Sequence, residues 1–267
     1  MSGGAAQFVC MGGSGDRAKI FAEKAATELG LAPMMKCILE PIGKTERFVL
    51  YKAGPLISVN HGMGMPSMSI LLHEMAKLLH YAGVRDPEFF RMGTSGGLGV
   101  EAGNVVIATE SVNCRFESAM RKWILGKEVV RPTGLDPALG TALFEAAKGL
   151  KDAKGRPIAV FRGRTMGTDD FYEGQGRLDG AICEYNEADK LAWIRAAAKE
   201  GILNIEMEAP EFAGFCHHLH IRGAVVCCAL LNRLVLDQVT ASHEELDMFS
   251  DNVQKVILAY IKTRLGR

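Results

Sequence analysis

The sequence predicts an α/β protein with a largely buried sheet. Two observations carry this: apolar runs of strand length alternate along the chain with stretches of helical spacing, and glycine or proline punctuates their boundaries. A third is size, since 267 residues with 48% hydrophobic composition can bury a sizeable core, and α/β domains of this length commonly form one unit. One domain over residues 1–267 is the expectation, with residues 1–7 disordered.

FVCMGG, residues 8–13, reads as a strand ending in glycine, and AKIFAEKAATELG behind it has helical spacing and a terminal glycine. RFVLYKAGPLISVNHG reads as two strands joined by an Ala-Gly-Pro turn. Pro66 suits the first turn of the helix PSMSILLHEMAKLLHYAG, and Gly83 suits its end. FFRMG and NVVIATESV are strands on either side of a glycine-rich turn. After a looser region, DPALGTALFEAAKGL and EADKLAWIRAAAKEGI are helical, and NIEM separates the second from a helix begun by Pro210. AVVCCALLN is a buried strand, and SHEELDMFSDNVQKVILAYIKTRL is a long C-terminal helix with apolar spacing.

Lysine plus arginine equals aspartate plus glutamate at 31 each, so no basic field points to nucleic acid or an anionic membrane. The start MSGGAAQFVCMGG lacks the charged region and apolar core of an export signal, and no run reaches membrane-span length. A soluble, cytoplasmic protein is expected. Seven cysteines, at 10, 37, 114, 183, 216, 227 and 228, form no CxxC unit and are expected as reduced thiols. His217 and His220 of HHLH, residues 217–220, can share a helix face, but no nearby carboxylate or cysteine completes a closed metal site.

The glycine-rich turn starting at Gly93, GTSGGLGVEAG, misses the GxGxxG spacing and leads into a strand, which excludes a dinucleotide fingerprint. No Lys-Ser or Lys-Thr follows the glycines, which excludes a P-loop. What remains is backbone amides, the Thr94 hydroxyl and the Arg91 guanidinium, a set that can hold free phosphate. The alternative is a bend whose arginine pairs with a carboxylate. FVCMGGSGDRAK repeats the pattern, with Arg17 behind a strand and glycines.

HGMGMPSMSI, FRMGTSGGLG, DFYEGQGRLDG, NIEME and LLNR together resemble the uridine phosphorylase family of the nucleoside phosphorylase-I superfamily, from about residue 8 to the C-terminus. CEYNEADK resembles the animal-type branch. The resemblance implies a three-layer α/β/α fold with a central mixed, twisted sheet. It also implies reversible phosphorolysis of uridine to uracil and ribose 1-phosphate, with inversion at the anomeric carbon. Phosphate is then a co-substrate, and no cofactor is expected.

By the same resemblance, Gly13, Arg17, Arg91 and Thr94 bind phosphate, and Arg47 is lent across the interface of a homo-oligomer, a dimer in the animal-type branch. Gln175 and Arg177 read uracil beside the aromatic wall of Phe171, with Leu230 and Leu231 lining the base pocket and Arg233 ordering its loop. Glu208 and Met207 clamp the ribose together with Thr94, and Glu206 supports them. Arg91, Thr94, Gln175 and Arg177 form the catalytic set.

Two departures stand out. No histidine precedes His61, so the family's partner-supplied contact to the ribose 5'-hydroxyl is expected to be absent or replaced. Phe48 stands where bacterial relatives carry a potassium-binding glutamate, so no metal site is expected. The rival readings are a purine nucleoside phosphorylase, against which FYEGQGR argues, and a non-catalytic nucleoside-binding homologue.

Overall fold

The computed structural model describes residues 7–31, 40–43 and 47–267. Of residues 1–7, expected as a disordered start, 1–6 lie outside the described residues, as does Cys37. Gln7 is tied in: its N–H donates to the Pro55 carbonyl at 2.8 Å and its own carbonyl accepts from the Glu88 N–H at 2.8 Å.

Among the described residues ten strands and six helices follow in order: β1 (Phe8–Gly12), α1 (Gly15–Glu28), β2 (Leu50–Ala53), β3 (Leu56–Asn60), α2 (Met65–Tyr81), β4 (Glu88–Gly97) and β5 (Val105–Val112). Then come β6 (Ala119–Ile124), β7 (Lys127–Pro132), α3 (Pro137–Ala146), β8 (Val160–Gly167), α4 (Glu187–Lys199), β9 (Ile202–Glu206), α5 (Ala209–His218), β10 (Arg222–Asn232) and α6 (His243–Arg264). The helix starts follow their sequence cues. Ser242 and Asn186 close capping boxes on α6 and α4, and Pro66 and Pro210 sit in the first turns of α2 and α5.

The main sheet is mixed and has eight strands in the order β10-β5-β8-β9-β4-β1-β3-β2, and β10 also pairs with β4. Strands β4, β10, β5, β8 and β9 therefore close on one another, while β1, β3 and β2 extend from β4. Alternation of side chains across each strand feeds two cores. Phe8, Cys10, Phe90, Val226 and Cys228 pack with α1, α3 and α6 on one side. Val9, Met11, Phe89, Val225 and Cys227 pack with α2 and α5 on the other. Cys227 and Cys228 are thus core residues on opposite faces, and burial pushes both thiols up, to about 12 for Cys227.

The start of the expected turn, GTSGG at residues 93–97, is instead strand. β4 runs unbroken through Gly97, in parallel register with β10 from Glu88↔Arg222 to Gly97↔Asn232. Glycine here serves close packing rather than reversal. Two more elements had no clear signal. The exposed hairpin β6–β7 fills the looser region, and β8 is a strand whose first half carries Arg162 and Arg164 rather than an apolar run.

A buried polar knot locks the closure. Asn204 on β9 donates to the Ser95 hydroxyl at 2.9 Å and accepts from the Thr165 hydroxyl at 2.7 Å. Ser95 in turn donates to the Cys228 carbonyl at 3.2 Å. These bonds join β4, β8, β9 and β10 where their ends line one cleft.

Candidate active site

The cleft opens at the carboxyl ends of β1, β3, β8, β9 and β10, along the second half of β4, the usual place for a ligand on a parallel sheet. Its volume is about 900 Å³ counting the open mouth. Gly13, Arg17, Arg91, Thr94, Phe171, Gln175, Arg177, Glu206, Met207, Glu208, Leu230, Leu231 and Arg233 all line it. Arg47 does not; it is exposed and lies outside the cleft of its own chain.

One end gathers cationic groups. Gly13 follows β1, and Ser14 caps α1 by accepting the Arg17 N–H at 3.2 Å. Among the described residues the Arg17 guanidinium has no ion pair, only a 3.4 Å bond from its Nε to the Ser14 hydroxyl. Burial, and then the nearby Arg91 charge, lower its pKa. Two close guanidiniums, one of them unpaired, form a site that gains from an anion.

Arg91 is nearly fully buried and spends its donors on carboxylates. Its Nε donates to Glu206 at 2.8 Å, and its NH2 reaches Glu206 at 2.5 Å and also Glu208. Burial works against its charge, but Glu208 and Glu206 outweigh this and hold the guanidinium firmly protonated. Glu206 also accepts the N–H groups of Glu208 at 2.9 Å and Ala209 at 2.8 Å, which fixes the start of α5. Burial pushes the Glu206 carboxyl up to about 7 against the pull of Arg91. At Glu208 burial also pushes upward, but Arg91, His61 and the Gly64 N–H prevail and lower its pKa. The Gly64 N–H donates to Glu208 at 2.5 Å.

The other end is aromatic and amide-bearing. Arg177 lies over the Phe171 ring, its guanidinium carbon 4.7 Å from the centroid. Its Nε and NH2 donate to Asp179 at 3.1 and 2.9 Å, and Gln238 donates to the same carboxylate at 2.9 Å. Gln175 sits on a 3-10 turn, Glu173–Gln175, and its side-chain amide has no protein partner among the described residues. Its carbonyl accepts from Arg233 NH2 at 2.9 Å, while Arg233 Nε donates to Asp237 at 2.6 Å. Arg233 thus ties the loop carrying Gln175 to the end of β10. The glycines make room for these arginines: a Cβ on Gly96 would stand 2.7 Å from Arg233 Cγ, and one on Gly93 would overlap the Arg91 guanidinium.

A model of the phosphorylase superfamily matches residues 7–263. The chain belongs to the phosphorylase superfamily. Within it, the chain is 44% identical to mouse uridine phosphorylase 1 over 99% of its own length and 83% of that protein. It is also 44% identical to the uridine and thymidine phosphorylase of Caenorhabditis elegans, over 98% of this chain and 85% of the other. A uridine phosphorylase structure from Phytophthora capsici superposes with a TM-score of 0.91 at 48% identity, covering 98% of this chain and 87% of that one. The chain is also 38% identical to the inactive uridine phosphorylase B of Schistosoma mansoni, over 98% of this chain and 86% of the other.

Two residues of the site, His61 lining the cleft and Asp179 bonded to Arg177, had no separate signal in the sequence. His61 stood in the HGMG motif without a role, and Asp179 sits in the RLDG run as one acidic residue among many. Among the described residues no group of three or more histidine, cysteine, aspartate or glutamate side chains could hold a metal ion, and no helix could cross a membrane.

Proposed function

We propose that the chain catalyses the reversible phosphorolysis of uridine to uracil and ribose 1-phosphate. The observation that carries this is the opposition, across one cleft, of an unpaired cationic end at Arg17 to a free amide beside a guanidinium at Gln175 and Arg177. The first end suits phosphate, and the second suits the carbonyls and ring N–H of a pyrimidine.

The chemistry follows from that spacing. Cleavage of the glycosidic bond passes through an oxocarbenium-like sugar, with phosphate attacking one face as uracil leaves from the other. Gly13, Arg17, Arg91 and Thr94 place the anion beside the developing cation, so positioning and electrostatics carry the rate. Negative charge grows on the departing uracil, and Arg177 therefore binds it better in the transition state than in the ground state.

Glu208 is the carboxylate for the ribose hydroxyls, with Met207 packed on the sugar. Glu206 has its oxygens committed to Arg91 and two amides, so its part is to hold Arg91 and the α5 start. Phe171, Leu230 and Leu231 wall the base, and Arg233 fixes the Gln175 loop. Arg47 reaches the phosphate of a partner subunit in a homo-oligomer, the dimer being the expected form. Phosphate serves as co-substrate and no further cofactor enters; the setting is the cytoplasm.

A phosphate-dependent assay with uridine, thymidine, 2'-deoxyuridine and inosine tests the reading. Uracil should appear only when both uridine and phosphate are present. An assembled protein that releases no base from any nucleoside sinks the proposal in favour of a binding homologue, and release from inosine alone moves it to purines.

A further inference from the structure

The anion end of the cleft offers donors. The guanidiniums of Arg17 and Arg91 and the backbone N–H groups only donate, and of the phosphate-binding groups named above the Thr94 hydroxyl alone can also accept. Phosphate at neutral pH keeps a P–O–H, which must donate to something. The nearby carboxylates are committed elsewhere: Glu206 to Arg91 and two amides, and Glu208 to Arg91 and Gly64, with its remaining lone pairs assigned above to the ribose hydroxyls.

His61 is the unused group. It lines the same cleft and is 1% exposed, and among the described residues neither ring nitrogen has a hydrogen-bond partner. Its backbone N–H donates to the Gly12 carbonyl at 2.7 Å, which sets it beside the Gly13 loop, and its carbonyl accepts from the Ser67 hydroxyl at 2.5 Å. The segment after it returns to the ribose clamp through the Gly64 N–H on Glu208. A buried polar ring left unpaired is costly, so a ligand that pairs it gains accordingly.

We infer that His61 recognises the protonated form of phosphate: its imidazole accepts the P–O–H of hydrogen phosphate and so selects that ion over sulfate. The inference deepens the phosphorolysis reading and rests on it. Burial pushes the imidazole down to about 3, with Arg91 and Arg17 acting the same way and Glu208 against them. The ring is therefore neutral at working pH, and a neutral imidazole keeps one bare nitrogen as acceptor. Sulfate matches hydrogen phosphate in shape and charge but brings no proton, so it leaves that nitrogen unpaired.

Wild type is compared with His61→Leu, which removes both nitrogens, and His61→Asn, which keeps an acceptor. Phosphate KM, uridine KM and competitive inhibition by sulfate are measured for each. In His61→Leu the phosphate KM should rise about tenfold and the uridine KM should stay within about twofold, with sulfate inhibition unchanged. His61→Asn should keep most of the preference for phosphate.

An unchanged phosphate KM overturns the inference, as does a parallel loss of phosphate and sulfate, or an effect confined to uridine against 2'-deoxyuridine. If His61→Leu does not fold, ring-nitrogen NMR of the wild type decides. Phosphate must shift the bare His61 nitrogen while sulfate leaves it in place, and equal shifts refute the idea. A wild type that releases no uracil removes the phosphorolysis reading itself; an active wild type with unaltered anion preference in the variants removes only this inference.

Discussion

The carboxylate of Asp179 grips the guanidinium of Arg177 from two residues away, through bonds of 3.1 and 2.9 Å. The hydrogen bonds from Arg177 and then Gln238 hold this carboxyl well below the usual carboxylate range. The pair fixes the plane of the guanidinium over Phe171 before any base arrives. Asp179→Asn should lower kcat/KM for uridine about tenfold while the phosphate KM stays put. Steady-state kinetics with each substrate varied checks it; a rise in phosphate KM alone would count against this role.

Arg177→Ala removes the group that meets charge growing on uracil. Both kcat and uridine affinity should fall, kcat by about 10²-fold or more. An unchanged rate at saturating uridine would show that Arg177 only binds.

Gly96→Ala places a Cβ 2.7 Å from Arg233 Cγ and 3.0 Å from its Cδ. The stem of Arg233 cannot swing aside freely, because its head is bonded to Asp237 and to the Gln175 carbonyl. The variant should lose about 1–3 kcal/mol of stability and raise the uridine KM, as thermal unfolding and kinetics would report. A normal uridine KM would mean that the Gln175 loop does not depend on Arg233.

His61 also sets a pH dependence of stability. Its pKa falls from 6.5 when unfolded to about 3 when folded, so below pH 6.5 the unfolded chain takes up a proton that the fold refuses. The stabilising contribution is complete above pH 6.5 and is lost as pH falls toward 3. Urea unfolding at pH 7 and pH 5 should show wild type losing more stability than His61→Asn, by up to about 1.4 kcal/mol per pH unit below the unfolded pKa. Equal losses would show that the ring charges freely in the fold.

Arg47 and Arg91 test the shared site. If each site takes Arg47 from one subunit and Arg91 from the other, Arg47→Ala and Arg91→Ala are each nearly inactive alone. Refolded together in equal amounts they should recover about a quarter of wild-type activity, since half the dimers are mixed and each mixed dimer has one intact site. No recovery means that Arg47 acts within its own chain or not at all.

The sequence by itself determined the α/β class, the starts of α2 and α5 and, through its resemblance to a family, which residues would gather in the cleft. The proline signals at Pro66 and Pro210 are local chemistry, so they survive folding unchanged. The resemblance to the uridine phosphorylase family marked thirteen residues that line one cleft. Tertiary structure decided the rest. Whether MGTSGG turns or continues depends on β10 lying alongside it, and no local propensity encodes that partner. The carboxylates that Arg91 meets lie 115 and 117 residues away along the chain, and packing buries the His61 ring without a hydrogen-bond partner among the described residues. Periodicity and motif report what a residue is; only packing fixes which of its hydrogen bonds remain free for a ligand.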